Sequence, residues 1–453
     1  MKKNELFRAV IEGYTSAGLG VARLEGRAVF VEGTARGDHC LLRLVKLSES
    51  GPLYARIEKL ETPSPARIES GCPAAGRCGG CDFQHVTYEE ELALKEERVR
   101  DALGRIAKID LVPESILPAP AVTGYRNKAL FPVRMAAGQP VTGFFRARSH
   151  EIVPVEACAL QNDRANACAA ALRAWMERYH VPAYDEATGG GLIRHLFVRT
   201  AAHTGQALCC IAATGKPPRV PALIHALREA CPDLVGVVLD LNTRRDNIIL
   251  TGRQHTLWSL DWMEDILNGL TFKLSAMSFF QVNPAQAERL YALASEMAGL
   301  NGAETVLELY CGAGTLSLCL ARQAARVIGV DIAASAVADA QQNALRNEIQ
   351  NAQFLRADAG QAAQALAREG IRPDVLVVDP PRKGLDLTVM EAVQALRPAR
   401  MVYVSCDPAT MARDIARLRD IGYRAERCAP VDMFPRTANV ECVVQLTIIE
   451  TVR

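Results

Sequence analysis

The stretch "ETVLELYCGAGTLSL", residues 304–318, decides the fold. An apolar run ends at Tyr310 and is followed at once by Gly312 and Gly314, and then by a second apolar segment. A glycine-rich turn between a strand and a helix lets a ligand approach the backbone, because glycine has no β-carbon. The stretch therefore predicts the first strand and helix of a nucleotide-binding α/β sheet.

Further apolar runs follow at intervals that leave room for helices between them: "RVIGVD", "QFLRAD", "PDVLVVD" and "RMVYVSC". Strands that alternate with helices are typical of a doubly wound parallel sheet. The pattern predicts a Rossmann-like α/β domain over residues 269–453. The strands of such a sheet bind ligands at their carboxyl ends.

Acidic residues stand at the ends of successive strands. Asp331 ends the second strand, where a carboxylate can accept hydrogen bonds from ribose hydroxyls, and Asp358 ends the third, in position to reach an adenine edge. The glycine turn lacks both a third glycine and a following Gly-Lys pair, which favours a nucleoside without phosphates. S-adenosylmethionine fits this pattern, since it has an adenine, a ribose and a charged amino-acid tail.

The fourth and fifth strands carry the residues for chemistry. The fourth runs into "DPPRKG", residues 379–384, which ends in basic residues where amino-methyltransferases place an aromatic one, and the fifth ends at Cys406. A thiolate that adds to carbon 6 of a pyrimidine makes carbon 5 able to take a methyl group. A base must then remove the carbon 5 proton, and Glu441 in "FPRTANVECVVQL" is the candidate, because partial burial raises the pKa of a carboxyl.

A cysteine cluster, Cys72, Cys78 and Cys81, lies in "SGCPAAGRCGGCDFQH", residues 70–85. The N-terminus lacks the unbroken apolar run of a signal peptide, and no stretch has the length of a membrane span. We therefore expect a cytoplasmic protein that does not contact a membrane, and disulfides are rare in that compartment. Three thiols within ten residues indicate a metal site or redox chemistry, although three ligands are one short of a closed metal site.

The length of 453 residues predicts more than one domain. Short strands punctuated by glycines over residues 1–62 predict a small antiparallel barrel of the OB type, which often binds oligonucleotides.

The pattern of residues 70–268 predicts an α+β domain. Within it, the charged segment 89–107 is typical of a helix with a solvated face, and "GYRNKALFPVRM" mixes basic and aromatic residues as RNA contacts do, although surface strands often look the same.

Together these motifs resemble the RNA uracil-5-methyltransferase family, in particular its iron–sulfur branch acting on 23S ribosomal RNA. The resemblance covers nearly the whole chain, from a TRAM-type barrel and the cysteine cluster to "SFFQVNPAQAE", "LELYCGAGTLSL", "DPPRKG", "SCDP" and "FPRTANVE". It implies Cys406 as nucleophile and Glu441 as proton acceptor. It also implies S-adenosylmethionine contacts from four residues, Gln281, Tyr310, Asp331 and Asp379. Asp331 departs from the glutamate of many members, and Thr315 stands where some carry asparagine.

The resemblance also supplies a fourth cysteine ligand, Cys158 in "PVEACAL". Four thiolates suit zinc or an iron–sulfur cluster, and a single C-x₂-C pair favours the cluster over a zinc ribbon. The family branch implies a [4Fe–4S] cluster on Cys72, Cys78, Cys81 and Cys158. We expect it to be structural and to hold an RNA-contacting central domain.

The sequence thus predicts a monomeric enzyme that methylates carbon 5 of a flipped uridine in a single-stranded region of 23S ribosomal RNA. One alternative is a transfer-RNA uracil-5-methyltransferase, although that branch is expected to lack the barrel and the cysteine cluster. The other is a non-catalytic RNA-binding factor with a methyltransferase fold, against which the intact Cys406, Asp379 and Glu441 argue.

Overall fold

The computed structural model describes residues 1–449. The first part of the chain forms a six-stranded sheet in the order β1-β5-β6-β4-β3-β2. The two strands at the ends of this order, β1 and β2, follow each other closely in the chain, in segment 6–14. The segment pairs with β5 through β1 and with β3 through β2. The strands are β1 (Leu6–Val10), β2 (Gly13–Tyr14), β3 (Gly20–Leu24), β4 (Arg27–Val31), β5 (His39–Lys46) and β6 (Leu53–Thr62).

Helix α1 (Tyr88–Asp101) follows and continues into one π-helical turn, Ala102–Ala107. The hydroxyl of Thr87 accepts a hydrogen bond from the Glu90 amide at 3.3 Å, so it caps the amino end of the helix. Val99 and Leu103 are buried against the C-terminal sheet. The helix therefore lies on the catalytic part of the molecule, although it is distant from that part in sequence.

A seven-stranded sheet forms the centre, in the order β13-β12-β11-β10-β7-β8-β9. Helices cover one of its faces, and residues of the C-terminal part cover the other. Every residue of β10 and β11 is buried because both faces of the sheet are covered, and β11 is accordingly apolar throughout rather than alternating. The elements are β7 (Lys128–Ala136), β8 (Gln139–Phe145), β9 (Ile152–Pro154), α2 (Asp163–Arg178), β10 (Ile193–Thr200), β11 (Ala207–Ala213), α3 (Val220–Ala230), β12 (Leu234–Leu241) and β13 (Gln254–Ser259).

A hairpin and one helix lead into the last sheet: β14 (Trp262–Leu267), β15 (Leu270–Ser275) and α4 (Pro284–Ala298). The predicted domain boundary after residue 268 falls in the turn of this hairpin, whose two strands pack into one core. The remaining elements are β16 (Thr305–Leu309), α5 (Thr315–Ala321), β17 (Arg326–Asp331), α6 (Ala334–Arg346), β18 (Ala352–Arg356), α7 (Ala359–Arg368), β19 (Val375–Val378), α8 (Leu387–Leu396), β20 (Arg400–Ser405), α9 (Pro408–Asp420), β21 (Tyr423–Val431) and β22 (Glu441–Ile448).

This last sheet has the order β18-β17-β16-β19-β20-β22-β21. Its first five strands are parallel, and β22 runs antiparallel to both β20 and β21. The predicted doubly wound α/β fold is therefore confirmed. Within residues 1–449, no helix combines the length and the apolar character needed to cross a membrane.

A buried cluster of charges joins α1 to the segment after β21. The Lys95 ammonium donates to Glu91 Oε1 at 2.7 Å and to Asp432 Oδ1 at 2.6 Å, and all three side chains are buried. The Tyr88 hydroxyl donates to Asp432 Oδ2 at 2.6 Å. Burial raises the pKa of Glu91 to about 7, although the Lys95 charge opposes this. Part of the predicted solvated face of α1 is thus an internal ion cluster.

We expect Lys95→Ala to lower the free energy of unfolding by about 3–5 kcal/mol, because it removes the buried cation that Glu91 and Asp432 share. The control is Arg105→Ala in the adjoining π-helical turn, which removes an exposed ion pair to Asp101 at 3.3 Å. The control should change stability by no more than about 1 kcal/mol. Denaturant unfolding compares the two variants, and equal effects would show that the Lys95 cluster is not buried as described.

Candidate active site

The carboxyl edge of the last sheet collects most of the predicted site residues. Tyr310, Asp358, Asp379 and Cys406 follow the ends of β16, β18, β19 and β20 within two residues, and Asp331 is the last residue of β17. The strands β17 and β19 lie on opposite sides of β16, so the strand order changes direction there. Ligands of doubly wound sheets bind at such a switch point.

The turn after β16 has the backbone that the glycines predict. Gly312 and Gly314 have φ angles of 55° and 77°, a left-handed region that side chains rarely occupy. A β-carbon on Gly314 would come within 2.9 Å of the Phe354 ring. Tyr310 also has a positive φ, 68°. A non-glycine residue in this region stores strain, and such strain is common at binding sites.

Two of the predicted cofactor-binding carboxylates also organise the backbone. Asp331 accepts hydrogen bonds from the amides of Gly312 at 3.0 Å and of Ala333 at 2.8 Å, so it connects the glycine turn to the end of β17. Asp358 caps helix α7 through the amides of Gly360 and Gln361. Only Asp331 therefore links two parts of the predicted nucleoside site directly.

Buried acids lie beneath this edge. Burial raises the pKa of Glu308 to about 8, against a hydrogen bond from the Ser317 hydroxyl. Burial also raises the pKa of Asp379 to about 7. An acid whose pKa is raised in this way gains from a nearby positive charge, because the charge restores the ionised form. The edge is thus suited to a cationic ligand.

Cys406 and Glu441 meet where β20 ends and β22 begins. Ser405 lies opposite Cys442 in the antiparallel register, so Cys406 and Glu441 are the next pair along the two chains. Residues opposite each other in such a pair have α-carbons about 4.5–5.5 Å apart. The two predicted catalytic groups are therefore neighbours, although 34 residues separate Cys406 from Glu441 in the sequence.

The ionisation of this pair reflects burial. Burial raises the pKa of the Cys406 thiol to about 11, with a further rise from the charges of Glu441 and Asp379. Burial also raises the pKa of Glu441 to about 8, with a contribution from Asp379. Arg382 opposes both shifts, so its guanidinium is the cation of this group.

The loop 379–384 is held from below by a residue that the sequence analysis did not identify. Buried Asp414 on α9 accepts hydrogen bonds from the Leu385 amide and the Tyr403 hydroxyl, each at 2.8 Å. A β-carbon on Gly384 would clash with the Asp414 carboxylate at 2.2 Å. The loop can therefore approach α9 only because residue 384 is glycine.

A second unpredicted residue is Arg98 on α1. Its guanidinium donates to the Ala438 carbonyl at 2.7 Å and lies 3.6 Å from the Asp407 carboxylate. Ala438 precedes Glu441 and Asp407 follows Cys406, so Arg98 connects the loops of the two predicted catalytic residues. No local signal marks this arginine, because its partners lie more than 300 residues away in sequence.

Gln281 lies outside the sheet, in the segment between β15 and α4. Its carbonyl accepts a hydrogen bond from the Asn127 side chain at 2.9 Å, and the Asn127 amide donates to the Val282 carbonyl, also at 2.9 Å. The central part of the chain therefore fixes the backbone of this segment.

The four predicted cluster ligands, Cys72, Cys78, Cys81 and Cys158, line one cavity of about 320 Å³. All four are free thiols of intermediate exposure. Over the residues that the structure describes, no group of three or more His, Cys, Asp or Glu side chains is arranged to hold a metal ion. The cysteines thus surround a cavity and do not converge on one point.

Comparison with known proteins decides the class. A family model described as tRNA (uracil-5-)-methyltransferase matches residues 261–449. An uncharacterized RNA methyltransferase of Listeria monocytogenes is 39% identical over 448 residues, which cover 98% of each chain. Another, from Clostridium tetani, is 37% identical over 99% of this chain and 97% of that protein. The chain belongs to the RNA uracil-5-methyltransferase family.

A solved structure agrees with this membership. The Pyrococcus abyssi tRNA (uracil-54, C5)-methyltransferase in complex with S-adenosyl-L-homocysteine matches with a TM-score of 0.79 and 25% sequence identity. The match covers 97% of this chain and 100% of that one. S-adenosyl-L-homocysteine is what S-adenosylmethionine becomes when it gives up its methyl group. The predicted enzyme class, an S-adenosylmethionine-dependent RNA methyltransferase, is confirmed.

Replacing Asp331 by Ala in this methyltransferase should weaken S-adenosylmethionine binding by about 1–3 kcal/mol, because it removes a hydrogen-bonded carboxylate from the glycine turn. The matched control is Asp374→Ala. Asp374 accepts a hydrogen bond from the Thr305 amide at 2.7 Å, at the opposite edge of the same sheet. Calorimetric titration measures both variants, and an unchanged affinity for Asp331→Ala would remove this residue from the site.

Proposed function

We propose that this methyltransferase acts on carbon 5 of a specific uridine in 23S ribosomal RNA, with Cys406 as nucleophile and Glu441 as proton acceptor. The observation that carries the mechanism is the register of β20 and β22, which makes these two residues neighbours at the ligand-binding edge. A thiol and a carboxyl with a raised pKa, side by side, are the two groups that pyrimidine carbon 5 chemistry requires.

The reaction begins when the Cys406 sulfur, as thiolate, adds to carbon 6 of the flipped uracil. This bond makes carbon 5 nucleophilic, and carbon 5 then takes the methyl group. S-adenosylmethionine would bring a positive sulfonium charge and supply that methyl group, with cleavage of its S–CH3 bond and release of S-adenosylhomocysteine. Glu441 next removes the remaining proton from carbon 5, and the bond between sulfur and carbon 6 breaks to release the thiolate. The target base must leave its stack to reach this position.

Ionisation of the thiol depends on its surroundings. With a pKa of about 11, Cys406 is protonated at neutral pH in the protein alone. A cation held beside Asp379 would lower the pKa of the thiol, and Arg382 already acts in the same direction. We propose that the thiolate forms only when the site is filled, which keeps the nucleophile unreactive in the free enzyme.

We assign the nucleoside site to Gln281, Tyr310, Asp331, Asp358 and Asp379. Asp331 would accept hydrogen bonds from the ribose hydroxyls, and its two bonds to backbone amides fix its orientation for this role. Asp358 keeps one carboxylate oxygen for the adenine edge, because its cap uses the other. Gln281 would approach from the segment before α4.

The two catalytic variants should fail at different steps. Cys406→Ala should be inactive and form no adduct, because carbon 5 is never activated. Glu441→Gln should transfer one methyl group and then stall, leaving a protein–RNA complex that survives denaturation. Denaturing gels with labelled RNA and labelled methyl groups separate these outcomes. Substantial methylation by Cys406→Ala would contradict the mechanism.

The cysteine cavity fits an iron–sulfur cluster better than a single ion. Four thiolates on one zinc ion stand about 3.8 Å apart, because each Zn–S bond is about 2.3 Å, and such a site encloses no cavity. Here the four cysteines are among the sixteen residues that line a cavity of about 320 Å³, which has room for more than a single ion. We propose that Cys72, Cys78, Cys81 and Cys158 hold a [4Fe–4S] cluster, which would link the segment 72–81 to the loop after β9.

Polar atoms of the same cavity support an anionic occupant. Arg126, Lys128 and Gln161 line the cavity with the cysteines. Arg126 Nε is buried without a hydrogen-bond partner among the described residues. A cluster with four thiolates is anionic, and hydrogen bonds and nearby cations are known to tune such sites. The N–H group at Arg126 Nε, which has no other partner among the described residues, is a suitable hydrogen-bond donor to the sulfurs of such a cluster.

Protein purified without oxygen should be brown and contain about four irons and four acid-labile sulfides per chain. Cys72→Ser should lose iron, whereas Cys40→Ser should keep it, because Cys40 is buried in the first sheet away from the cavity. Iron and sulfide assays provide the measurement. One equivalent of zinc without sulfide would contradict the cluster.

The first sheet and the cysteine segment offer a path for RNA. Segment 6–14 pairs at both ends of the sheet order, which supports a closed barrel of the OB or TRAM type over residues 1–62. A groove of about 700 Å³ separates this sheet from the cysteine segment, and it is lined by Phe30, Tyr54, Arg56 and Arg148 among others. Aromatic and basic side chains together suit single-stranded RNA.

A second candidate substrate is transfer RNA. The Pyrococcus abyssi enzyme modifies tRNA by its name, and it matches 97% of this chain. The overall architecture therefore no longer argues against tRNA as a substrate. Methyl transfer from labelled S-adenosylmethionine onto unmodified 23S ribosomal RNA and unmodified tRNA, followed by mapping of the product, decides between them. Incorporation into tRNA alone would overturn the proposal of ribosomal RNA.

A further inference from the structure

The cysteine segment is bonded directly to the loop that precedes Glu441. The amides of Asp82 and Phe83, the two residues after Cys81, donate to the Arg436 carbonyl at 2.9 and 3.1 Å. In return, the Ala438 amide donates to Asp82 Oδ2 at 2.8 Å. With a longer bond from the Arg436 guanidinium to the Phe83 carbonyl at 3.5 Å, four hydrogen bonds join residues 82–83 to residues 436–438, more than 350 residues away in sequence.

Packing strengthens the same junction. Phe83 is buried in a small core with Leu94 of α1 and Ala438, and its ring meets the Tyr14 ring edge-on at 5.5 Å. The Arg436 guanidinium donates to the Val86 carbonyl at 2.9 Å. Arg436 has a φ of 70°, a conformation that its own preferences disfavour. The loop is therefore held in its shape by contacts outside itself.

The junction bears on one catalytic residue more than on the other. Ala438 lies three residues before Glu441, which begins β22, so the anchored loop sets where the carboxylate enters the site. Cys406 is fixed by its own turn, in which the Ser405 hydroxyl and the Asp407 backbone exchange hydrogen bonds and Asp407 caps α9. Disturbing residue 82 should therefore displace the proton acceptor more than the nucleophile, whose loop meets the Ala438 loop through the 3.6 Å contact of Arg98 with Asp407.

We propose that Asp82 is a positioning residue for Glu441, and that it couples the four-cysteine segment to the proton-removal step. The proposal rests on the proposed roles of Cys406 and Glu441. If so, the two steps of the reaction depend on different contacts. Methyl transfer depends on Cys406, whereas release of the methylated base depends on how residues 82–83 hold the loop before Glu441. A loosened cysteine segment would then yield trapped enzyme and not merely weak RNA binding.

The test compares Asp82→Ala with Asp82→Asn in single-turnover reactions. Asp82→Ala loses the acceptor for the Ala438 amide, whereas Asp82→Asn keeps an oxygen at the same place. We expect Asp82→Ala to transfer the methyl group at close to the wild-type rate and to hold the covalent adduct about tenfold longer, since a hydrogen bond to a carboxylate has about that effect. Asp82→Asn should release product like the wild type.

Release by Asp82→Ala at the wild-type rate would overturn the proposal, and so would an equally slow release by Asp82→Asn. If Asp82→Ala gives no folded protein, Asp82→Ser, whose hydroxyl is too short to reach the Ala438 amide, should show the same slow release. Iron content should match the wild type in every variant, and a parallel loss of iron would contradict the assignment to this hydrogen bond.

A readout without catalysis checks the physical link. Amide hydrogen exchange over residues 432–441 should be faster in Asp82→Ala than in the wild type, and unchanged in Asp82→Asn. Unchanged exchange in Asp82→Ala would contradict the coupling. Failure of the proposed function would differ, because the wild type itself would then form no adduct at Cys406.

Discussion

The antiparallel pairing of β20 with β22 is the constraint on which the active site depends. The first five strands of the last sheet are parallel and could carry a cofactor site alone. Only an antiparallel strand can begin where its neighbour ends, and β22 therefore delivers Glu441 next to Cys406. The surrounding contacts, from Arg98 across both loops to Asp82 on Ala438, keep this register at the edge of the sheet.

Burial without full compensation gives the site its chemical character. Glu308, Asp379 and Glu441 all have pKa values raised to between about 7 and 8, chiefly by burial. Uncompensated acids cost stability in the empty enzyme, and a bound cation removes part of that cost. The same burial raises the pKa of the Cys406 thiol to about 11. The proposed mechanism therefore links cofactor binding to ionisation of this thiol through electrostatics.

Those features of the site that depend on residues close together in the chain could be predicted from the sequence. The glycine turn at 312–314 and the acids that end successive strands predict the fold and the edge at which the site lies, because parallel strands share one edge. Pairings between distant segments could not be predicted. Glu91 and Lys95 read as surface charges, and their burial depends on Asp432, far away in the chain. Arg98 was missed for the same reason, since its partners lie more than 300 residues away. The domain boundary predicted after residue 268 lies in the turn between β14 and β15, where the sequence pattern of apolar and polar residues does not change abruptly.

The central claim is that Cys406 forms a covalent bond to the target base, and substrate RNA with 5-fluorouridine at the target position tests it most directly. Fluorine at carbon 5 cannot be removed as a proton, so the last step is blocked after methyl transfer. The account predicts a denaturation-resistant complex that contains the methyl group, with the RNA attached to the peptide that carries Cys406. Attachment at another cysteine, or methyl transfer onto normal RNA without any complex on the fluorinated RNA, would contradict it.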